Sequence, residues 1–308
     1  MRLSPFIALF FLAGCASIQG SLFDMGVASE RAQSGLERHT VEIDGQRIHY
    51  LERAGEGPDT QTLVLIHGFA GDKNHWIRFV RFLPPGYRVL APDLPAHGDN
   101  AEDSAVTYSI TYLTNALSAF IDVLEADPVH LVGNSLGGRI AAELALAHPQ
   151  RVRTVSLLDP AGLASPEPSD LDVALSRGEN LLIPTTREEY DTLTAISFGD
   201  NALELPWPAP AVLARRYANR ASVYRKVWTD LGTVPNDLDS RLHQLAHPLL
   251  VVWGEQDGVI DVSAAGLWAD NVSHAEIEIM AGVGHAPMLE QPAETATLVD
   301  AFIKRSHQ

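Results

Sequence analysis

The chain has 308 residues, 46% of them hydrophobic, and a formal net charge of −17 at pH 7. This length and composition suit one globular domain with a large buried core. The acidic balance argues against binding to nucleic acid and against electrostatic attachment to anionic lipid. Cys15 is the only cysteine, so an internal disulfide bond is excluded even in an oxidising compartment.

The N-terminal residues have the pattern of a bacterial signal peptide. Met1-Arg2 is positively charged, and the apolar run 5–13 is too short to cross a bilayer as a helix. Residues 12–15, Leu-Ala-Gly-Cys, resemble the lipoprotein box, in which the chain is cut before a cysteine that is then lipidated. We therefore expect a signal peptide at 1–14 and lipidation at Cys15. The alternative is an ordinary secretory signal in which Cys15 is incidental.

Residues 15–36 are rich in Ser, Gly, Ala and Gln, a composition that predicts a lipidated tether. The resemblance to lipoproteins implies that three acyl chains are attached. An anchor of three chains holds a protein stably on a membrane, whereas one acyl chain alone gives only marginal binding. Ala16 after the cysteine resembles the signal for sorting to the outer membrane. We therefore expect attachment through a lipid anchor to a bacterial membrane, at the periplasmic side of the outer membrane.

Alternation of apolar strands with helix-length amphipathic stretches predicts a mostly parallel sheet covered by helices on both faces. An N-terminal hairpin is expected from 40–43 and 47–51 around Asp44-Gly45, and further strands are expected near residues 62, 87, 129, 152, 249 and 275. The core of this α/β fold is predicted to comprise 37–162 and 241–308.

An insertion is predicted at residues 163–240, because about eighty residues separate the strand ending near Asp159 from the strand beginning near Leu249. A crossover between parallel strands needs only about a dozen residues. Helices are expected at 171–177, 186–195 and 211–227. Several prolines separate these helices: Pro166, Pro168, Pro184, Pro206, Pro208, Pro210 and Pro235.

The pattern Gly133-Asn134-Ser135-Leu136-Gly137 follows an apolar strand and precedes a predicted helix. That context indicates a nucleophile elbow, in which a strained turn presents the serine at a helix N-terminus and glycines avoid steric clashes. Ser135 is the predicted nucleophile. A serine hydroxyl needs a base, an acid that orients the base, and donors for an oxyanion.

Asp257 and His285 are the predicted acid and base. Each follows a predicted strand. The order serine, acid, histidine along the chain is the one that accompanies a nucleophile elbow. Asp159 and Asp261 are alternatives for the acid, since Asp159 also ends a strand and Asp261 shares the Asp257 loop.

The oxyanion is expected to be bound by two backbone N–H groups. Leu136, directly after the nucleophile, supplies one, and Phe69 in the loop 67–71 after an early strand supplies the other.

At this point the chain resembles the α/β-hydrolase superfamily from about Thr40 to Ile303. The motifs that carry the resemblance are HGFAGDKNHW (67–76), GNSLGG (133–138), LLDPAGL (157–163) and GVGHAPMLEQP (282–292). They look most like those of bacterial family V lipases and esterases and of the membrane-associated mammalian monoacylglycerol lipase. This resemblance implies hydrolysis of a small-molecule or lipid ester through an acyl-enzyme.

The resemblance also implies that the insertion, which follows the sixth strand, is a helical cap over the site. Large apolar side chains of the cap are expected to line an acyl pocket: Leu181, Leu182, Ile183, Phe198, Trp207, Tyr217, Tyr224 and Trp228.

Two other functions remain open at this stage. Carbon–carbon bond hydrolases of ring-cleavage products share the Gly133-Asn134-Ser135 segment, but they commonly carry Trp after the catalytic histidine, where this chain has Ala286. A ligand-binding member of the fold without turnover is the second alternative. The sequence contains no Cys cluster and no His-Glu-x-x-His motif, so we expect neither a metal nor a cofactor, and nothing in it indicates a protein partner.

Overall fold

A computed structural model of the protein describes residues 5–199, 205–233 and 237–306, with side chains described from Ser17 onwards. Eight strands form one sheet: β1 (Glu37–Ile43), β2 (Gln46–Arg53), β3 (Gln61–Ile66), β4 (Tyr87–Pro92), β5 (Val129–Asn134), β6 (Val152–Leu158), β7 (Leu249–Gly254) and β8 (Glu276–Met280). Their order across the sheet is β1-β2-β4-β3-β5-β6-β7-β8.

The sheet is antiparallel at one edge and parallel elsewhere. β1 pairs with β2, and β2 with β4, in antiparallel register, whereas every other neighbouring pair is parallel. Asp44 and Gly45 both have positive φ, 49° and 77°, as a tight hairpin turn of the primed type requires. The predicted hairpin and the six further strands are therefore confirmed.

Helices cover both faces of the sheet. Along β5 every residue is buried, and alternate residues belong to different clusters: Leu131 packs in one hydrophobic core and Val132 in the other. The helices are α1 (Pro5–Gln33), α2 (Ile77–Phe82), α3 (Ile110–Val123), α4 (Leu136–Ala147), α5 (Asp170–Ser176), α6 (Arg187–Phe198), α7 (Ala209–Leu231), α8 (Leu238–Arg241), α9 (Ala264–Asn271), α10 (Pro287–Glu290) and α11 (Pro292–Arg305).

Four helices, α5 to α8, lie between β6 and β7, and we call them the cap helices. Three of them correspond to the helices predicted in the insertion. Polar N-caps define two of their starts: the Ser169 side chain accepts from the Asp172 N–H at α5, and the Thr186 side chain accepts from the Glu189 N–H at α6. The cap after the sixth strand is thus confirmed as a helical insertion.

The segment predicted as a tether is instead part of α1, which continues to Gln33. Glu30 forms an ion pair of 2.8 Å with Arg78 of α2, and Asp24 forms one of 2.6 Å with Arg216 of α7. The small polar residues that suggested a flexible chain lie on a helix that packs against the hydrolase core and the cap.

Residues 1–4 of the predicted signal peptide lie outside the described residues, as does the side chain of Cys15. Within the described part of the chain, no helix has the length and apolar character needed to cross a bilayer.

Candidate active site

Ser135 lies in the turn between β5 and α4, with φ 54° and ψ −119°. Such a positive φ is uncommon outside glycine and indicates stored backbone strain. A side chain at Gly137 would clash with the backbone carbonyl of Ile66, and one at Gly133 would clash with that of Gly137. The Ser135 hydroxyl makes no capping hydrogen bond to α4. The turn therefore has the strained geometry that the glycine pattern predicts.

Asp257 and His285 meet at the carboxyl ends of β7 and β8. The Asp257 Oδ2 atom lies 2.8 Å from His285 Nδ1. The other oxygen, Oδ1, accepts hydrogen bonds from the N–H groups of Val259 and Ile260 at 2.8 Å and 3.0 Å. Donors on both oxygens stabilise the carboxylate, and the carboxylate orients the imidazole.

Ser135 and His285 line one cavity of about 730 Å³. The side chain of Asn134 joins their two loops, since Nδ2 donates to the Leu158 carbonyl at 3.1 Å and to the His285 carbonyl at 2.9 Å. Among the described residues no hydrogen bond joins the Ser135 hydroxyl to the His285 ring. Such bonds are often long until substrate binds.

The loop after β3 touches the nucleophile turn. A Cβ on Gly68 would lie 3.1 Å from the Cβ of Ser135, so a side chain there would crowd the site. Phe69 follows and lines the cavity. No described residue accepts a hydrogen bond from the N–H of Phe69 or of Leu136, so both groups are free to bind a ligand.

His67 holds this loop in place as a neutral imidazole. Its Nε2 accepts from the Leu94 N–H at 3.0 Å, so Nδ1 carries the proton and donates to the Gly68 carbonyl at 2.8 Å. Complete burial and the neighbouring His97 lower the pKa of His67 well below its ordinary value. His67 therefore stabilises the loop through its two hydrogen bonds, and both of its ring nitrogens are occupied.

Of the two alternative acids, Asp261 caps a local turn, where its Oδ1 accepts from the Ser263 N–H at 2.9 Å. Asp159 is different, because it lies in the same cluster as the predicted pair. One oxygen of Asp159, one of Asp257 and one ring nitrogen of His285 all lie within 4.8 Å of one another. That spacing is compatible with a metal site, but the His285 Nδ1 atom is already engaged by Asp257 at 2.8 Å.

Glu290 was not singled out in the sequence, although it lies in the motif that contains His285. Its Oε2 accepts from the Gly284 N–H at 2.8 Å, and its Oε1 accepts from the Ala286 N–H at 3.0 Å. The carboxylate thus holds the residues on both sides of His285. The short spacing of five residues between His285 and Glu290 was the one sequence feature that could have indicated this contact.

The cap and α1 supply much of the cavity wall. Four of the eight predicted cap residues line it: Leu182, Phe198, Tyr217 and Tyr224. The other four do not: Leu181, Ile183, Trp207 and Trp228. Trp207 is 71% exposed, and Trp228 contacts Phe69 edge to face with ring centroids 5.6 Å apart. Phe23, Val27 and Arg31 of α1 also line the cavity, a contribution that the tether prediction missed.

A strained serine turn, an Asp–His pair and a loop with free N–H groups define a serine hydrolase type of site. The sequence profile of the family described as "alpha/beta hydrolase fold" matches residues 61–292. The chain therefore belongs to the α/β hydrolase family.

Within this family, the chain is similar to lipases and to one solved phospholipase structure. The chain is 29% identical to a monoacylglycerol lipase of Xenopus laevis, over 89% of this chain and 84% of the relative. It is also 29% identical to Lipase 1 of Psychrobacter immobilis, over 96% of this chain and 95% of the relative. The crystal structure of a membrane phospholipase A, described as a bacterial virulence factor, superimposes with a TM-score of 0.89 at 32% identity, covering 98% of both chains.

Proposed function

We propose that this protein hydrolyses carboxylic esters of lipids through an acyl-enzyme on Ser135. The observation that carries the proposal is the strained Ser135 turn in one cavity with His285, whose ring is held by Asp257 at 2.8 Å. The lipase relatives support this activity.

In the proposed mechanism His285 takes the proton from the Ser135 hydroxyl as its oxygen attacks the ester carbonyl. Asp257 orients the imidazole and stabilises its charged form. The N–H groups of Phe69 and Leu136 bind the oxyanion, and His285 returns the proton to the leaving alcohol. Water then repeats the cycle on the acyl-enzyme and releases the acid.

An acyl chain is the favoured occupant of the cavity. Its wall contains apolar side chains from the cap and α1, among them Leu182, Leu193, Leu213, Phe198 and Val27. Apolar surface of this kind binds hydrocarbon by excluding water. The names of the relatives, monoacylglycerol lipase and lipase, point to the same class of substrate.

A glycerophospholipid is the second candidate substrate, and the likeness to the membrane phospholipase A favours it. Several cationic side chains line the cavity, although the whole chain is strongly acidic. Arg31 forms no ion pair with any described residue, so its charge is available to a phosphate, whereas Arg220 already donates to the Ala96 carbonyl at 2.7 Å.

A fluorophosphonate probe tests the chemistry. We expect it to modify Ser135 in the wild-type protein and Ser135→Ala to lose both labelling and ester turnover, by about three orders of magnitude or more in rate. Ser176→Ala, which removes an exposed hydroxyl of α5, is the matched control. A Ser135→Ala protein that keeps a tenth of the activity contradicts the proposal.

Substrates with one acyl chain but different head groups separate the two candidates. We would compare kcat/KM for a monoacylglycerol and for a lysophospholipid of the same chain length. If a phosphate is recognised, Arg31→Gln lowers the value for the lysophospholipid by about threefold to tenfold and leaves the monoacylglycerol unaffected. Arg153→Gln, on an exposed arginine outside the cavity, is the control. Equal effects on both substrates favour the neutral lipid.

We further propose that the protein is lipidated at Cys15 and attached to a bacterial membrane, at the periplasmic side of the outer membrane. The lipoprotein-like residues 12–15 support this location. So does an apolar face in the middle of α1, where Ile18, Leu22 and Met25 are exposed at helical spacing.

Metabolic labelling with a palmitate analogue tests the anchor. We expect the wild-type protein to be tagged and released from membranes only by detergent, and Cys15→Ser to be untagged. The intact mass shows whether the chain is cut before Cys15. The Cys15→Ser protein should lose activity on membrane-embedded esters far more than on short soluble ones. An unlabelled wild-type protein in the soluble periplasmic fraction contradicts the anchor.

A further inference from the structure

The end of β6 connects the two halves of the active site. The Leu158 carbonyl accepts from the Ser135 N–H at 3.0 Å, and the Ala161 N–H donates to the Ser135 carbonyl at 3.0 Å. Between them, the Asp159 N–H donates to the Val252 carbonyl of β7 at 2.9 Å. The Oδ1 atom of Asp159 accepts from the Gly254 N–H at 2.8 Å. Asp159 therefore ties the nucleophile turn to the strand that leads into Asp257.

Two buried carboxyl groups lie side by side in this cluster. Asp159 is fully buried and Asp257 is 6% exposed, and their oxygens come within 4.8 Å. Two carboxylates at such a distance in a low-dielectric site do not both stay ionised, so one of them holds a proton.

The hydrogen-bond donors decide which carboxyl group holds the proton. Asp257 is stabilised as an anion by two backbone N–H groups and the His285 ring. Asp159 receives one N–H on Oδ1, whereas its buried Oδ2 accepts no hydrogen bond from the described residues. The better-supplied Asp257 keeps the charge, and the proton belongs on Asp159.

The surroundings of Asp159 act in the same direction. Burial first, and then the negative charge of Asp257, raise the pKa of Asp159 well above its ordinary value. The groups that face it are Asp257 from the loop after β7, His285 from the loop after β8 and Glu290 from α10. Glu290 adds a second negative charge, and the Gly254 N–H opposes the effect only in part.

We propose that Asp159 is a positioning residue of the triad, which as a neutral carboxylic acid donates a hydrogen bond to the Asp257 carboxylate and keeps that carboxylate on His285. This inference rests on the proposed serine-hydrolase function. When the Asp159 proton is lost as the pH rises, the two carboxylates repel each other, and Asp257 no longer holds the imidazole in place.

The pH dependence of kcat/KM on a short soluble ester tests the role. Asp159→Asn keeps an acceptor for Gly254 and a donor for Asp257 but does not ionise. It is expected to lower kcat/KM at neutral pH by less than about tenfold and to remove the loss of activity that we expect of the wild type as the pH rises. Asp159→Ala lacks both hydrogen bonds and is expected to lose about tenfold to a hundredfold. Asp59→Asn, on an exposed loop, should keep the wild-type profile.

Infrared difference spectroscopy at neutral pH detects the proton on the Asp159 carboxyl group directly. The wild-type protein should show a carbonyl band of a buried protonated carboxyl group that Asp59→Asn retains and Asp159→Asn lacks. If Asp159→Ala fails to fold, the isosteric Asp159→Asn still decides the matter.

Three results would overturn the inference: an Asp159→Asn loss as large as that of Asp257→Asn, an unchanged alkaline profile, or an unchanged infrared spectrum. Fluorophosphonate labelling separates this failure from failure of the proposed function. A wild-type protein labelled on Ser135 together with any of the three results refutes only the role of Asp159, whereas an unlabelled wild-type protein refutes the function itself.

Discussion

The carboxyl ends of the strands and the cap helices above them are held in different ways. At the strand ends the catalytic groups are fixed by hydrogen bonds to backbone atoms, as Asp257 is by Val259 and Ile260. The cap meets the core partly through hydrogen bonds, such as that from the His285 N–H to the Ser197 carbonyl at 2.6 Å, and partly through aromatic rings, with the Tyr224 and Phe69 ring centroids 5.8 Å apart. Directional hydrogen bonds fix geometry, whereas ring contacts tolerate repacking. The chemistry should therefore depend on the strand ends and the choice of substrate on the cap.

The largest expected effect comes from removing the base at the strand ends. His285→Ala should lower kcat by about three orders of magnitude or more on every ester, because it removes the proposed general base. The measurement is kcat on a series of p-nitrophenyl esters, with His243→Ala on an exposed histidine as the control. A loss that depended strongly on chain length would place His285 in substrate selection.

A smaller effect is expected on the free energy of unfolding, from a histidine that lies where the cap contacts the core. His97 is fully buried between Phe69 and Tyr224, and burial lowers its pKa from 6.5 to about 4. Between these values the unfolded chain binds a proton that the folded protein does not, so the stability falls as the pH is lowered through this window. The fall amounts to about 2 kcal/mol at pH 5 relative to pH 7.

Urea unfolding at these two pH values measures this fall, which should be smaller in His97→Gln. Burial lowers the pKa of His67 as well, so part of the acid sensitivity should persist in this variant. His243→Gln should behave as the wild type. An unchanged pH dependence in His97→Gln would show that the ring is protonated in the folded protein.

Glu290 offers a milder test of the strand ends. Glu290→Gln replaces one of its two acceptor oxygens with an NH₂ group that faces a backbone N–H, which loosens the His285 loop. We expect kcat to fall about tenfold, the cost of roughly one hydrogen bond, while KM stays nearly constant. Glu294→Gln, on an exposed residue of α11, is the control. Equal losses in the two variants would remove Glu290 from the positioning of the base.

The smallest effect is expected in the cap. Leu193 of α6 lines the cavity, whereas Leu181 does not. Leu193→Ala should change the ratio of kcat/KM between long and short acyl esters by about threefold to tenfold, as the loss of one apolar contact does, with little change on the shortest ester. Leu181→Ala should leave the ratio as it is. A uniform loss on all chain lengths would mean that Leu193 supports the fold instead of selecting the substrate.

Sequence patterns predicted the features that depend on a few consecutive residues. The strands, the hairpin at Asp44-Gly45 and the strained turn at Ser135 follow from local alternation and from glycine spacing, and the structure has all of them. Composition was a poorer guide to α1, because small polar residues suit a surface helix as well as a flexible chain once a neighbouring surface is present.

The sequence alone predicted the positions of the strands along the chain, the nucleophile turn and the loops that carry Asp257 and His285, since backbone conformation and hydrophobic periodicity are local properties. The order of the strands across the sheet, and the side chains that face one another across those loops, became known only from the folded structure. It brought Asp159 beside Asp257, placed Glu290 against both neighbours of His285, and put Leu182 in the cavity wall but Leu181 outside it. The contact between Asp159 and Asp257 joins residues far apart in the chain, and burial gives it its electrostatic effect, so the local pattern around either residue does not contain it.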